Sequence, residues 1–444
     1  MPAADPASKS AGVTIKLRSV LGVAFGVATV VGTIIGAGIL RAPGEHAARL
    51  PTPALFFAVW IAGAIYSLGG ANALCELASV VPRSGGQYNF SLRALGRYAG
   101  FYVGWNDWLS TAGSVTGVAI VWAETVGALF YPLHAYTLPV AAALILGFTL
   151  LLWRGVKIGA RAQYVTTSLK SFAFLALIGA GFWYAIRHGI ARPGPVTAPH
   201  GAALLAAFVI SMQGVLYAYD GWNGAIYFTE EMTDPGRDVA RSTFGGLLSV
   251  TAVYLLVLTA FILVVPLPAL AGKELAAGEV ARTIFGDRGD TVIRLVIVLS
   301  LPSYANAVLP MSTRVLFGMS RDRLAPKWAT KVNAGGTPTM ALLASCVVAL
   351  LFLFTGTINA VFAVLSFLFV ASYTLSFIAV FVLRKREPDS PRAYRAWGHP
   401  WTTGIMVLGS VAFLVGSIWS DPRNGLIAAA IVAVSYPIYR VLRF

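Results

Sequence analysis

Apolar residues along this chain come in runs of about 20, parted by short polar segments that hold most of the charge. A run of that length crosses roughly 30 Å of hydrocarbon as a helix. The pattern predicts twelve spans, near residues 20–40, 54–81, 99–130, 136–153, 160–187, 202–229, 242–266, 290–317, 338–355, 358–384, 402–420 and 424–441. It does not show the alternating segments of an outer-membrane barrel. The expected fold class is an all-α polytopic membrane protein.

Two of the runs are interrupted. The first carries Gly32-Thr33-Ile34-Ile35-Gly36-Ala37-Gly38-Ile39-Leu40. Each interior glycine there weakens a helix by roughly 1 kcal/mol relative to alanine. The sixth carries Gly214-Val215-Leu216-Tyr217-Ala218-Tyr219-Asp220-Gly221-Trp222-Asn223-Gly224, broken by glycines and polar residues near mid-membrane. Two broken spans five apart predict two five-helix repeats. Because five is odd, the second copy enters from the opposite face, which makes the repeat inverted. The chain then divides into a disordered tail over 1–18, a first repeat over 19–190, a second over 201–384, a cytoplasmic linker over 385–400 and two peripheral helices over 401–444. The outside loop 268–289 has room for a short helix.

Composition narrows the class. Only 11% of residues are charged, against about 25% in a soluble domain, so no soluble domain of useful size remains. The net charge of +15 would suit a nucleic-acid binder, but its placement argues otherwise. Arg83, Arg93, Arg97, Arg154, Lys157 and the cluster Arg384-Lys385-Arg386 fall between spans on one side, as the positive-inside rule requires. The charge is topology: both termini are expected in the cytoplasm, in a multi-pass protein of the cell (inner) membrane, with the lipid bilayer and no nucleic acid as partner. The first apolar stretch outruns a signal peptide and lacks a convincing cleavage site, so it is expected to stay in the mature protein. Cys75 and Cys346 both lie inside predicted spans, and the five histidines fall in loops or at span ends without metal-ligand spacing. No metal and no cofactor are expected.

The breaks carry the candidate chemistry. Unwinding frees backbone groups where water is scarce, and each unsatisfied one costs several kcal/mol. A zwitterionic amino acid supplies both kinds of partner. Its carboxylate suits the amides of Gly36, Ala37 and Gly38, helped by the positive end of the following half-helix. Its ammonium suits the carbonyls near Thr33 and Ile34, and near Tyr217, Ala218 and Asp220. The competing reading is that the glycines only let helices pack closely. Lys170 is the lysine set deep in a span, where an ammonium costs at least about 2.5–3.5 kcal/mol and should face acceptors; otherwise it snorkels to the surface. Asp220 meets the substrate or caps the helical half that begins at Gly221. Glu76 reads as structural, and Asp107 and Glu124 as interfacial.

The motifs also resemble a known family. The first-span signature is similar to that of the amino acid–polyamine–organocation (APC) superfamily. Leu74-Cys75-Glu76-Leu77-Ala78-Ser79 through Pro82-Arg83-Ser84-Gly85-Gly86-Gln87-Tyr88 looks like its second span and first inside loop. Tyr217-Ala218-Tyr219-Asp220-Gly221-Trp222-Asn223, with Thr229-Glu230-Glu231 and Asp234-Pro235-Gly236-Arg237, resembles the L-type amino acid transporter branch. The resemblance, from about residue 18 to the chain end, implies a leucine-transporter-type fold and an amino acid held between spans one and six. It implies that Tyr217 is an aromatic gate over the substrate. It further implies that Lys170 replaces the sodium ion of coupled relatives, bridging the carbonyls of Gly32 or Ile35 and an eighth-span hydroxyl, Ser300 or Ser303, or else carries a proton. Animal members join an ancillary subunit through a cysteine after the third span. Tyr131-Pro132-Leu133-His134-Ala135-Tyr136 has none, so no disulfide-linked subunit is expected, and a monomer is compatible.

The leading expectation is a secondary transporter working by alternating access, exchanging or passing neutral and also cationic L-amino acids without sodium. Proton-coupled symport is the first alternative and a non-transporting amino-acid receptor the second. The spans hold no Ser–His dyad, paired aspartates or histidine cluster, which argues against an intramembrane enzyme.

Overall fold

The computed structural model describes residues 17, 19–36, 38–191, 196–354, 358–420 and 422–441. Among these the chain is helical throughout, with two isolated bridges, Leu21 to Met232 and Val332 to Pro338, and no strand. Of the tail expected to be disordered over 1–18, residues 1–16 and 18 fall outside the described residues, while Leu17 is buried against the apolar core.

The first predicted span is two helices, α1 (Val23–Ile34) and α2 (Gly38–Arg49), bent by 44° at the glycine-rich stretch. It is followed by α3 (Pro53–Val80), the short α4 (Tyr88–Leu95), α5 (Arg97–Leu129), α6 (Thr137–Trp153) and α7 (Val156–His188). Thr52 starts α3 by accepting a hydrogen bond from the Leu55 amide at 3.4 Å, with Pro53 at the first helical position, where a missing N–H costs nothing. The sixth span opens as α8 (Gly201–Tyr219), breaks over Asp220–Asn223 and resumes as a 3-10 helix, Gly224–Glu231. Next come α9 (Pro235–Val264), α10 (Leu267–Leu270), α11 (Ala276–Phe285), α12 (Gly289–Arg321), α13 (Thr339–Phe352), α14 (Ile358–Arg386), α15 (Trp401–Ser420) and α16 (Pro422–Val441). The loop expected to fit one short helix fits two, α10 and α11.

Ten of these helices are long and apolar enough to cross a membrane, eleven if the bent pair is one span. The ninth predicted span is α13, whose 14 residues reach about 21 Å at 1.5 Å per residue, short of the hydrocarbon. The count of twelve therefore stands one span beyond what length and composition support.

Packing follows the order of the breaks. α1 lies against α7, α9 and the 3-10 segment of the sixth span, while α2 lies against α8. The two broken spans thus cross antiparallel, first half on second half. α5 packs along α12 and α14 at the centre, whereas Leu150, Val165, Phe172, Ile186, Leu408 and Trp419 stand exposed on α6, α7 and α15. Apolar side chains facing outward in such numbers suit a lipid surface.

The end of the bundle where Arg83, Arg314 and Arg321 form ion pairs is hereafter the basic end. There Leu21 pairs with Met232, and the amides of Val20 and Leu21 both donate to the Glu231 carbonyl, at 3.0 and 2.9 Å. The Glu231 carboxylate holds the Arg314 guanidinium of α12 through two bonds of 2.9 and 3.0 Å, both side chains nearly fully buried. Arg321–Glu230 and Arg83–Asp322 continue the seam.

Candidate functional site

The three glycines of the first break do different things. A side chain on Gly32 would meet Gln163 Nε2 at 2.0 Å, and one on Gly38 would meet the Ala218 Cβ at 3.0 Å. These two let helices approach, as the packing reading holds. Gly36 has only the Ile34 carbonyl oxygen, at 3.9 Å, within reach, so open space lies beside it. Ala37 lies outside the described residues.

In the sixth span Gly221 is the residue that makes the break. Its φ of +100° suits glycine, and a Cβ there would sit 2.6 Å from that of Thr33. Thr33 Oγ1 lies 2.9 Å from the Gly221 carbonyl, as well as 2.9 and 3.0 Å from the carbonyls of Thr29 and Val30. The segment after Gly221 is a 3-10 helix from Gly224, so Asp220 does not cap an α-helical half; it ends α8.

Freed carbonyls are met by two side chains from other spans. Lys170, fully buried on α7, donates to the Gly32 carbonyl at 2.9 Å and also to that of Ile35. It does not snorkel. Tyr254 of α9 sets its hydroxyl 2.8 Å from the Ile34 carbonyl and 2.8 Å from that of Ala218. One phenol proton serves one carbonyl at a time, and each carbonyl keeps a second lone pair for a ligand. The ring of Tyr254 packs with Trp60 and Tyr219, at 5.6 and 5.1 Å between centroids. Tyr217 is half-buried in the last turn of α8.

Ser300 and Ser303 are not brought onto Lys170. Each hydroxyl donates back within α12, to the carbonyls of Val296 and Ser300, the usual habit of serine inside a helix. Asp220 accepts from the Tyr373 hydroxyl at 2.6 Å. Asp107, expected at an interface, is 2% exposed and accepts from the Tyr227 hydroxyl at 2.7 Å. Glu124 is exposed. Glu76 is structural as expected: Arg384, Arg392 and the Ala396 amide all bond its carboxylate. Among the described residues no group of three His, Cys, Asp or Glu side chains could hold a metal.

Sequence reasoning missed Tyr254 and Gln163. Tyr254 sits in the most apolar long helix, where a hydroxyl has few partners, and that isolation was the available clue. Gln163 and Thr167 precede Lys170 on one helical face, at i, i+4 and i+7.

An all-helical membrane bundle with two broken spans crossing antiparallel, backbone to backbone, defines the class: a leucine-transporter-type inverted-repeat transporter. The chain belongs to the amino acid permease family, which it matches over residues 19–438. It is therefore an APC-superfamily membrane protein of amino acid transport, related to the L-type branch, and the family is one of transporters rather than enzymes. Three relatives fix the neighbourhood. The serine/threonine exchanger SteT of Bacillus subtilis (strain 168) is 26% identical over 95% of this chain and 96% of its own. The large neutral amino acids transporter small subunit 2 of Homo sapiens is 27% identical over 98% and 82%. The branched-chain amino acid permease BcaP of Bacillus subtilis (strain 168) is 26% identical over 92% and 90%.

Proposed function

We propose that this permease exchanges or passes neutral L-amino acids, and cationic ones with the help of Asp220, by sodium-independent alternating access. The observation that carries this is Lys170: its ammonium bonds Gly32 and Ile35 at the first break, next to the space beside Gly36. A fixed positive charge there repels a sodium ion from the same carbonyls. The substrate carboxylate meets the amides of Gly36, Ala37 and Gly38. Its ammonium meets the carbonyls near Thr33 and Ile34 and those of Tyr217 and Ala218, with Gly221 giving the bend and Tyr217 covering the ligand as a gate. Exchange is favoured because one of the relatives is named a serine/threonine exchanger.

The basic end is cytoplasmic, both termini with it, in an inner membrane. Residues 19–190 and 201–384 are the two repeats, and 385–400 links them to the peripheral pair. The chain works without a disulfide-linked subunit, since Tyr131–Tyr136 carries no cysteine. The test is uptake of labelled alanine or leucine into proteoliposomes, empty or preloaded, with sodium or choline outside and all amino acids as competitors. Strict sodium dependence overturns the assignment of Lys170, and absence of any substrate-dependent flux overturns transport.

A further inference from the structure

Three helices meet at Gln163. Its Nε2 donates to the Ala28 carbonyl of α1 at 3.2 Å and to Thr167 Oγ1 at 2.9 Å, and Thr167 donates to the same Ala28 carbonyl at 3.1 Å. Its Oε1 accepts from Asn306 Nδ2 of α12 at 2.8 Å. With Lys170 two turns further on, α7 thus grips α1 through a ladder on the carbonyls of Ala28, Gly32 and Ile35. The grip depends on Gly32, because any side chain there would collide with Gln163.

A cavity of about 20 Å³ adjoins the same junction, lined among others by Thr29, Gln163, Asn306, Phe228 and Arg314. That is room for one water. Thr29 Oγ1 and Asn306 Oδ1 are both buried and bonded to no protein group. Arg314, closed onto Glu231, is part of the cavity wall.

We propose that Gln163 is the positioning residue of the gate at the basic end: it ties α1 to α7 and α12 while that end is shut, and water entering beside Thr29 and Asn306 releases it. The polar atoms without protein partners gain from hydration as the end opens, whereas the amide of Gln163 loses its bonds. Shut and open forms are therefore weighed against each other at one side chain. The proposal rests on the alternating-access reading.

The test uses the full chain with Cys75→Ala and Cys346→Ala, and Ala307→Cys as a reporter. Ala307 is buried and lines the cavity. A membrane-impermeant maleimide is applied from the basic end in vesicles, and flux is measured on the same preparation. Gln163→Met keeps the length and loses all three bonds, and is expected to speed labelling about 10-fold. It should also raise the KM from the opposite side by about 3- to 10-fold, because the form open to that side is depopulated, while kcat changes less. Gln163→Glu keeps the acceptor for Asn306 and loses the donor to Ala28, so it should fall between Met and the parent. Labelling and KM unchanged in both variants, with flux intact, overturn the role of Gln163. A parent protein without flux overturns the transport reading instead.

Discussion

Thr33 Oγ1 lies 2.9 Å from the carbonyl oxygen of Gly221, so one hydrogen bond joins the breaks of two spans 188 residues apart. Thr33→Ser keeps the hydroxyl and should bind substrate as the parent does. Thr33→Val keeps the shape and removes the bond between the spans, leaving the Gly221 carbonyl to the Gly224 amide at 2.9 Å, and should weaken binding by about 0.5–1.5 kcal/mol, or roughly 2- to 13-fold. Equilibrium binding of labelled amino acid to purified protein decides. Equal affinity in the two variants would show that the breaks hold their geometry without this bond.

Gly38→Ala adds a Cβ about as far from Ala218 as tight packing tolerates, at 3.0 Å. It should cost about 1–3 kcal/mol through overpacking, and Gly38→Val more. The double variant Gly38→Ala with Ala218→Gly should recover part of the loss in thermal stability and binding, because the Ala218 Cα stays 3.1 Å from the added Cβ. No recovery would mean that the methyl of Ala218 is not what the added Cβ meets.

Lys170→Met removes an ammonium that serves two carbonyls. Charge-assisted bonds of this kind are worth about 1.5–3 kcal/mol each, so transport should fall by at least about 10-fold. The parent should meanwhile run equally fast in sodium and in choline.

Glu76→Gln leaves Arg392, almost fully buried, without its anion. Breaking one side of such a cluster costs about 3–5 kcal/mol. The melting temperature in detergent should drop well outside error, while the half-saturation for substrate in the folded fraction stays near the parent value. A shift in affinity without a shift in melting would contradict the structural role.

Arg93 holds the Glu387 carboxylate with bonds of 3.0 and 2.6 Å, and this pairing keeps the Glu387 carboxyl below its ordinary value against the opposing effect of burial. A lowered folded-state value means stability that is present above the unfolded value of about 4.3 and lost as pH falls through the folded one. Both side chains are partly exposed, so the pair is worth no more than about 1 kcal/mol. Glu387→Gln should destabilise slightly at neutral pH and not at all once the carboxyl is protonated. An equal loss at both pH values would point to packing.

Much of this site was legible in the residues. The spacing of glycines located both breaks, and the lone lysine in an apolar run pointed to acceptors, which turned out to be Gly32 and Ile35. Hydropathy gives depth along a span but not the direction a side chain faces. Asp107 therefore read as interfacial although it points inward to Tyr227, while Ser300 and Ser303, implied as partners of Lys170 by the family resemblance alone, bond within their own helix. Tyr254 was hidden for a related reason. An aromatic in a long apolar helix has the composition of core, and only the fold reveals that its hydroxyl spans two breaks.

Beyond the Arg93–Glu387 pair to α4, the linker after α14 is fastened to α3. Arg392 and the Ala396 amide bond Glu76, Tyr394 and the Trp397 amide bond Asn72 at 2.7 and 3.0 Å, and Ser79 bonds the Tyr394 carbonyl. All three anchors belong to α3. A fluorophore or spin label on α15 or α16 therefore shares the frame of α3. Paired with a label on α1, it supplies a fixed origin against which the motion of the first break can be measured.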